Sequence, residues 1–115
     1  MRLKSGIWVS AYLRRCQVEG VMAVLRRRGS EEAGAIFIKV SRLDGTADLY
    51  APAPQSEFDE TQPSDRAFML ALKGLPLPEP DVEAYLQKQV SFDPDLWIVE
   101  VEERGGRHFL DHLVR

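Results

Sequence analysis

Apolar residues near the amino end of the chain recur with helical spacing. The spacing is i, i+3, i+4 and i+7, which places these residues on one face of a helix. We therefore predict a helix over about residues 7–18, with Ser5 as its candidate N-cap. Its apolar face consists of Val9, Tyr12, Leu13 and Cys16.

The next apolar runs have the composition of β-strands. Residues 21–28 could continue the helix, but their valine content favours a strand. A polar, glycine-bounded turn separates them from the alternating, β-branched run at 34–42, so we predict that the two runs form a hairpin. The Asp44-Gly45 dipeptide is typical of tight hairpin turns. We expect 34–42 to pair with 46–51.

The second half of the chain contains one clear helical pattern. The polar, proline-bearing stretch at 51–65 predicts a surface loop, and the short apolar run at 66–72 predicts a strand. A helix is predicted over about 79–91, with Pro80 near its start, where a missing N–H costs nothing. Pro94 then restricts Asp93 to extended geometry and ends the helix.

From Trp97 onward the pattern alternates again. Gly105-Gly106 offers a turn, and the segment that follows it is expected to return as the second strand of a hairpin. The sum of these elements is an α+β fold in one domain spanning 1–115. It has a mostly antiparallel sheet of four to six strands and two helices packed on one face. The expected inward residues are Ile36, Ile38, Val40, Trp97, Val99 and Val101.

Composition places the chain among ordinary globular proteins. It has 115 residues, 44% of them hydrophobic and 29% charged, and no apolar run long enough to cross a bilayer. One cysteine excludes an internal disulfide, so we expect a soluble protein of the cytoplasm with no membrane association. Residues 1–29 carry seven Arg or Lys and one Glu, although the net charge is −3. Such a split marks either a surface for phosphates and acidic partners or charge pairing within the chain.

The carboxylates between residues 92 and 112 are the first candidates for chemistry. Asp93, Asp95, Glu100 and Glu102 could bind a divalent cation or act as a carboxylate pair. The favoured interpretation is structural, because Asp-Pro-Asp after a helix is common turn chemistry and Glu100 and Glu102 lie where a solvated strand face would lie.

The two histidines are the second candidate. His108 and His112 are four residues apart, which on a helix is the spacing of zinc ligands. On a strand the same spacing separates the Cα atoms by about 13 Å, too far for one ion. Cys16 lies on an apolar helix face and is not an evident third ligand. We predict no metal and no cofactor.

Arginines near the amino end are the third candidate. An arginine fork matches a phosphate with two hydrogen bonds, so these side chains could bind anions or nucleic acid. Strand alternation separates neighbouring arginines, and a pI of about 5.4 counts against nucleic acid. A solvated, ion-paired rim is the alternative. The residues are Arg14, Arg15, Arg26, Arg27 and Arg28.

Three segments of the sequence resemble a known family. They are WVSAYLRRCQVEG (8–20), RRGSEEAGAIFIKV (27–40) and, most specifically, FDPDLWIVEVEERGGRHFL (92–110). Together they resemble a bacterial, mostly alphaproteobacterial family, number 1491 of the domains of unknown function. The resemblance implies a single-domain protein of this size and brings no activity or catalytic residue with it.

These observations favour a non-enzymatic interaction or accessory protein, working as a homodimer or with another protein. Trp8, Ile98 and Phe109 are the expected exposed apolar contacts. An anion or nucleic-acid binder using the arginines is the alternative. A metal-dependent enzyme built on the acidic and histidine residues of 93–112, with Trp97 and His108 in that segment, is the remote one.

Overall fold

A computed structural model describes residues 3–54 and 66–114 of the chain. The predicted loop therefore falls largely outside the described residues. Those residues form two helices and six strands, numbered in chain order: α1 (Ser5–Val18), β1 (Met22–Arg27), β2 (Ile36–Ser41), β3 (Thr46–Pro52), β4 (Phe68–Leu70), β5 (Leu77–Pro78), α2 (Glu79–Phe92) and β6 (Trp97–Glu102).

All six strands belong to one sheet. Its order is β1-β6-β2-β3-β4, and β5 pairs with β3 beside this path. The β2–β6 pair is parallel and the other pairs are antiparallel. The α+β prediction, with a mostly antiparallel sheet, an N-terminal helix and a second helix, is confirmed, and residues 21–28 form a strand as preferred.

The predicted hairpin between β1 and β2 is wrong, because β6 lies between them. β6 pairs with β1 on one side and with β2 on the other. Its residues Trp97, Ile98 and Val99 are buried. A strand that is apolar on both faces is stable at the centre of a covered sheet, so β6 displaces the local pairing.

The predicted return strand after Gly105-Gly106 is also wrong. Both sides of β6 are already paired, so no free edge remains beside it. The tail instead crosses to the far side of the sheet, where Leu113 forms a parallel bridge with Phe68 of β4. The N–H of Phe68 donates to the carbonyl of His112 at 3.0 Å, and the N–H of Val114 donates to the carbonyl of Phe68 at 2.7 Å.

The predicted pairing of 34–42 with 46–51 is confirmed by β2 and β3. The turn differs from the one expected, because positive φ occurs at Leu43 (62°) and Gly45 (90°) and not at Asp44. Asp44 Oδ1 instead accepts hydrogen bonds from the N–H and the hydroxyl of Thr46, at 2.9 and 2.6 Å. This short side chain closes the turn locally, as aspartate often does.

The helices lie on opposite faces of the sheet, which corrects the prediction that both pack on one face. The strands β2 and β6 carry buried apolar residues on both faces, so each face needs a helix to cover it. Val82 and Leu86 of α2 pack with Phe37, Leu49 and Ile98 in a second core. The first core, under α1, contains every inward residue that was predicted for the sheet. These are Ile36, Ile38, Val40, Trp97, Val99 and Val101, and they pack with Val9, Tyr12 and Cys16 of α1.

The start of α1 differs from the prediction. Ser5 is its first residue, and the N-cap position is Lys4, which makes no side-chain cap bond. The Ser5 hydroxyl donates to the carbonyl of Gly34 at 2.6 Å, and its N–H donates to the carbonyl of Glu32 at 3.3 Å. The β1–β2 connection therefore supplies the acceptors that a capping side chain would supply.

The three expected exposed contacts are wrong. Ile98 is buried in the second core. Trp8 and Phe109 are partly buried and pack against the first core. The Trp8 ring stacks on Tyr12 and contacts Phe68, with centroids 5.1 and 5.2 Å apart. Trp8 is thus covered by an aromatic neighbour on its own helix and by β4.

Candidate functional site: the open edge of the sheet

The segment Asp93–Trp97 joins the end of α2 to the β1–β2 connection. Asp93 Oδ1 accepts the N–H of Asp95 at 3.0 Å, and the carbonyl of Asp95 accepts the N–H of Ser30 at 2.8 Å. The buried Trp97 ring donates from Nε1 to the carbonyl of Ser30 at 2.8 Å. Gly29 makes this junction possible, because a Cβ there would lie 2.1 Å from the carbonyl oxygen of Asp95.

Glu100 takes part in an ion network that the sequence did not reveal. Its centre is Lys39 on β2, whose side chain is only 4% exposed. Lys39 Nζ lies 2.8 Å from Glu79, 2.6 Å from Glu83 and 3.6 Å from Glu100. Arg26 closes the network with two hydrogen bonds to Glu83, at 2.7 and 2.8 Å, and one to Glu100 at 2.9 Å.

The network favours the ionised forms of Glu83 and Lys39. Hydrogen bonds from Arg26 and then Lys39, against the opposing effect of burial, lower the pKa of Glu83 to about 2. Burial lowers the pKa of Lys39, but hydrogen bonds to Glu79 and Glu83 outweigh it, so the pKa is raised overall. A protonated ammonium has no lone pair, so this lysine is not poised as a nucleophile. The position of this lysine within the apolar run AIFIKV is the sequence feature from which a buried ion pair could have been predicted.

Glu102 and the two histidines do not join this network. Glu102 is exposed and faces Met22 across the β1–β6 pair. His108 Nδ1 accepts the N–H of Leu110 at 2.9 Å, and burial lowers the pKa of its ring. His112 lines a cavity of about 70 Å³ beside Arg15. Within 3–54 and 66–114, no three of His, Cys, Asp and Glu converge as a metal site would require.

The five arginines do not converge on one surface. Arg15 donates to both carboxylate oxygens of Asp111, at 2.8 and 3.1 Å, and Arg26 belongs to the ion network under α2. Arg27 donates to the carbonyl of Pro94 at 2.7 Å.

The remaining two arginines are the most open. The Arg28 guanidinium lies 5.4 Å from the centre of the Trp97 ring and 3.8 Å from Glu31. Arg14 is exposed on α1. Binding of an anion by these five residues stays a prediction.

One long edge of the sheet is open. Among residues 3–54 and 66–114, β1 pairs only with β6, so one side of its backbone faces away from the described part of the sheet. Met22 and Val24 are 62% and 46% exposed on the face that carries α2, although α2 lies further along the sheet, over β3. An edge strand with outward apolar side chains is a template for pairing with another chain.

The opposite edge is different. β4 has three residues, and both polar backbone groups of Phe68 are bonded to the tail. Leu70 is 45% exposed beside Leu113, but the strand next to it is short and partly covered. Short strands and covering segments are the usual protection of a sheet edge.

A groove adjoins β1 on the face that carries α1. Its volume is about 470 Å³. It is lined by four residues of α1, among them Leu13 and Arg14, and by residues 21–23 at the start of β1. We call the surface formed by Val21–Leu25 and this groove the β1 edge. The β1 edge has three parts: a strand backbone whose outer side is paired with no described residue, exposed apolar side chains on one face, and the groove on the other.

Comparisons with known proteins agree on one family. The family model described as "Protein of unknown function (DUF1491)" matches residues 3–111. A crystal structure of a DUF1491 family protein from Caulobacter crescentus CB15 shares 38% identity and a TM-score of 0.81, covering 100% of this chain and 99% of that one. The solution structure of protein Atu0922 from A. tumefaciens shares 37% identity and a TM-score of 0.82, covering 100% and 98%. No curated protein matches. No helix in the described part of the chain is long and apolar enough to cross a membrane.

Proposed function

This chain belongs to the DUF1491 family of proteins of unknown function, and we propose that it is a non-enzymatic interaction module that binds protein partners along the β1 edge. The observation that carries this proposal is the open side of β1, with Met22 and Val24 exposed beside it. Strand addition at such an edge is a common mode of protein recognition.

The two halves of β1 are built differently, and this supports a specific contact. The half that begins at Arg26 carries arginines and contains the bulge between Leu25 and Arg27. Bulges and charges are devices that prevent unwanted pairing of an edge. The half from Met22 to Leu25 has neither. The half from Met22 to Leu25 is therefore the part of β1 that is suited to pairing with a partner.

The ionisable groups give further support, because they are engaged within the fold. Lys39, Glu83 and Arg26 neutralise one another, and Arg15 is held by Asp111. Such groups stabilise the packing of neighbouring elements and leave little for substrate chemistry. We place the module in the cytoplasm, since its single cysteine, the buried Cys16, can form no internal disulfide.

A site-specific photo-cross-linker tests the proposal. The chain would carry the photoreactive residue at Val24, or at the matched control Leu70, which is equally exposed at the opposite edge, and would be expressed in an alphaproteobacterial host. We expect a protein adduct, with the chain itself or with another protein, from position 24 and none from position 70. Absence of any adduct from position 24, or equal adducts from both positions, contradicts the proposal.

A further inference from the structure

We propose that a partner of the β1 edge is a second copy of this chain, paired antiparallel through β1 about a two-fold axis at Ala23. This inference rests on the proposed function, because it uses the same surface and names its occupant. It adds a partner, a strand direction and a register, each of which can be tested separately.

The direction follows from the charges along the edge. Glu19, just before β1, is exposed and makes no ion pair in the described part of the chain. Arg27, which is bound to the neutral carbonyl of Pro94, and the exposed Arg28 form the other end. Parallel association would place these arginines beside their equivalents, whereas antiparallel association places each arginine end beside the other copy's Glu19. Opposite charges at both ends favour the antiparallel arrangement.

The register follows from symmetry and from the bulge. A two-fold axis perpendicular to the sheet keeps each face continuous, so the residue on the axis meets its own equivalent. With Ala23 on the axis, Met22 faces Val24 of the second copy, and Val21 faces its Leu25. All the paired residues are then apolar and precede the bulge. An axis at Val24 would place Arg26, which is bound to Glu83, opposite Met22 and would run the pairing into the bulge.

This arrangement covers the surfaces that the single chain leaves open. On one face, Met22 and Val24 of the two copies form a four-residue apolar patch from side chains that are 62% and 46% exposed alone. On the other face, Leu25 of the second copy packs beside Val21, which lines the groove under α1. The smallest side chain of the strand lies on the axis, where the two copies approach one another most closely.

Single cysteines test the register. Residues directly opposite in an antiparallel pair have Cβ atoms about 4.5–5.5 Å apart, whereas a shift of two residues puts the Cα atoms beyond the roughly 7 Å that a disulfide can bridge. In a Cys16→Ala background, Ala23→Cys should therefore form a covalent dimer under mild oxidation. Met22→Cys and Val24→Cys should each fail alone and cross-link when mixed. Efficient cross-linking of Val24→Cys alone would overturn the register.

Sedimentation of the unmodified chain tests the partner. We expect its mass to rise from 13.0 kDa towards twice that value with concentration. Val24→Lys should weaken this association about ten-fold or more, because it buries an ammonium against Met22 of the second copy, and Leu70→Lys should not. A monomer at every concentration, together with no Ala23→Cys dimer, would overturn self-association. An adduct of position 24 with another protein would then still support the proposed function.

Discussion

Lys39 Nζ and Glu83 Oε2 lie 2.6 Å apart where α2 crosses the sheet. Their contact joins a central strand to the first turns of the helix, and Arg26 extends the link to β1. Burying a lysine with three carboxylate partners has a high desolvation cost. Removing one partner of such a network strongly destabilises the fold, because it leaves buried charge without compensation. This network therefore fixes α2 on the sheet, and through Arg26 it also fixes the strand that carries the open edge.

Replacing Lys39 by methionine should destabilise the protein. The change removes the central cation and leaves Glu79, Glu83 and Glu100 facing one another with Arg26 alone. We expect the free energy of unfolding to fall by about 2–3 kcal/mol, somewhat below the usual cost of breaking a buried ion pair because the carboxylates are partly exposed. Urea unfolding measures it. Lys88→Met on the exposed side of α2 is the control, and equal effects of the two changes would show that the network adds no stability.

Acid should weaken the fold through Glu83. Its folded pKa of about 2 lies below its ordinary value of 4.5, so its contribution to stability is complete above pH 4.5 and is lost as the pH falls towards 2. Glu83→Gln removes this contribution at neutral pH and should flatten the decline between pH 5 and 2, as followed by thermal unfolding. Glu102→Gln, which removes an exposed carboxylate with no ion pair to any described residue, should leave the decline as steep as in the unmodified protein. Parallel curves for all three would contradict the assignment.

Gly29 should tolerate no side chain. A Cβ at this position would lie 2.1 Å from a backbone oxygen of Asp95, and backbone atoms cannot swing aside as a flexible side chain can. We expect Gly29→Ala to cost about 2–3 kcal/mol in chemical unfolding. Gly105→Ala is the matched control, because its nearest neighbour is a side-chain oxygen of Glu103 at 3.1 Å, which is further away and belongs to no backbone. A neutral Gly29→Ala would mean that the junction with Asp95 is looser than described.

The arginines should not confer nucleic-acid binding. Arg15 and Arg26 already hold carboxylates and Arg27 holds a carbonyl, so only Arg14 and Arg28 remain open to a phosphate. We expect a labelled oligonucleotide to give a flat fluorescence titration at low salt. A saturable signal that weakens steeply with added salt and is lost in the Arg14→Ala, Arg28→Ala double variant would instead establish the anion-binding alternative.

Local patterns predicted most elements of this fold and the pairing of β2 with β3, but not the strands that neighbour β6. The periodicity of Val9 to Cys16 located α1, and Pro80 and Pro94 bounded α2. The position of β6 between β1 and β2 is a non-local choice, decided by the need to bury both faces of Trp97, Ile98 and Val99. Both errors of hairpin pairing follow from that single insertion, because it separates β1 from β2 and uses both sides of β6.

The candidate site was harder to predict for the same reason. Met22 and Val24 are ordinary apolar strand residues in the sequence, and they become an exposed surface only because β1 ends the sheet. Lys39 and Glu83 are 44 residues apart and meet only through the packing of α2. Charge asymmetry between the two parts of the chain left open both a binding surface and internal pairing, and Arg15 with Asp111 and Arg26 with Glu83 are examples of internal pairing.

Amide hydrogen exchange of β1, followed by NMR as the protein concentration is raised or a partner is added, tests the central claim most directly. The account predicts that the amides between Met22 and Leu25 that point away from β6 exchange quickly in the isolated chain and slow on association. It also predicts that the amides of β4 do not change. Slowing confined to another part of the chain, with the outward amides of β1 unaffected, would contradict the assignment of the β1 edge as the contact surface.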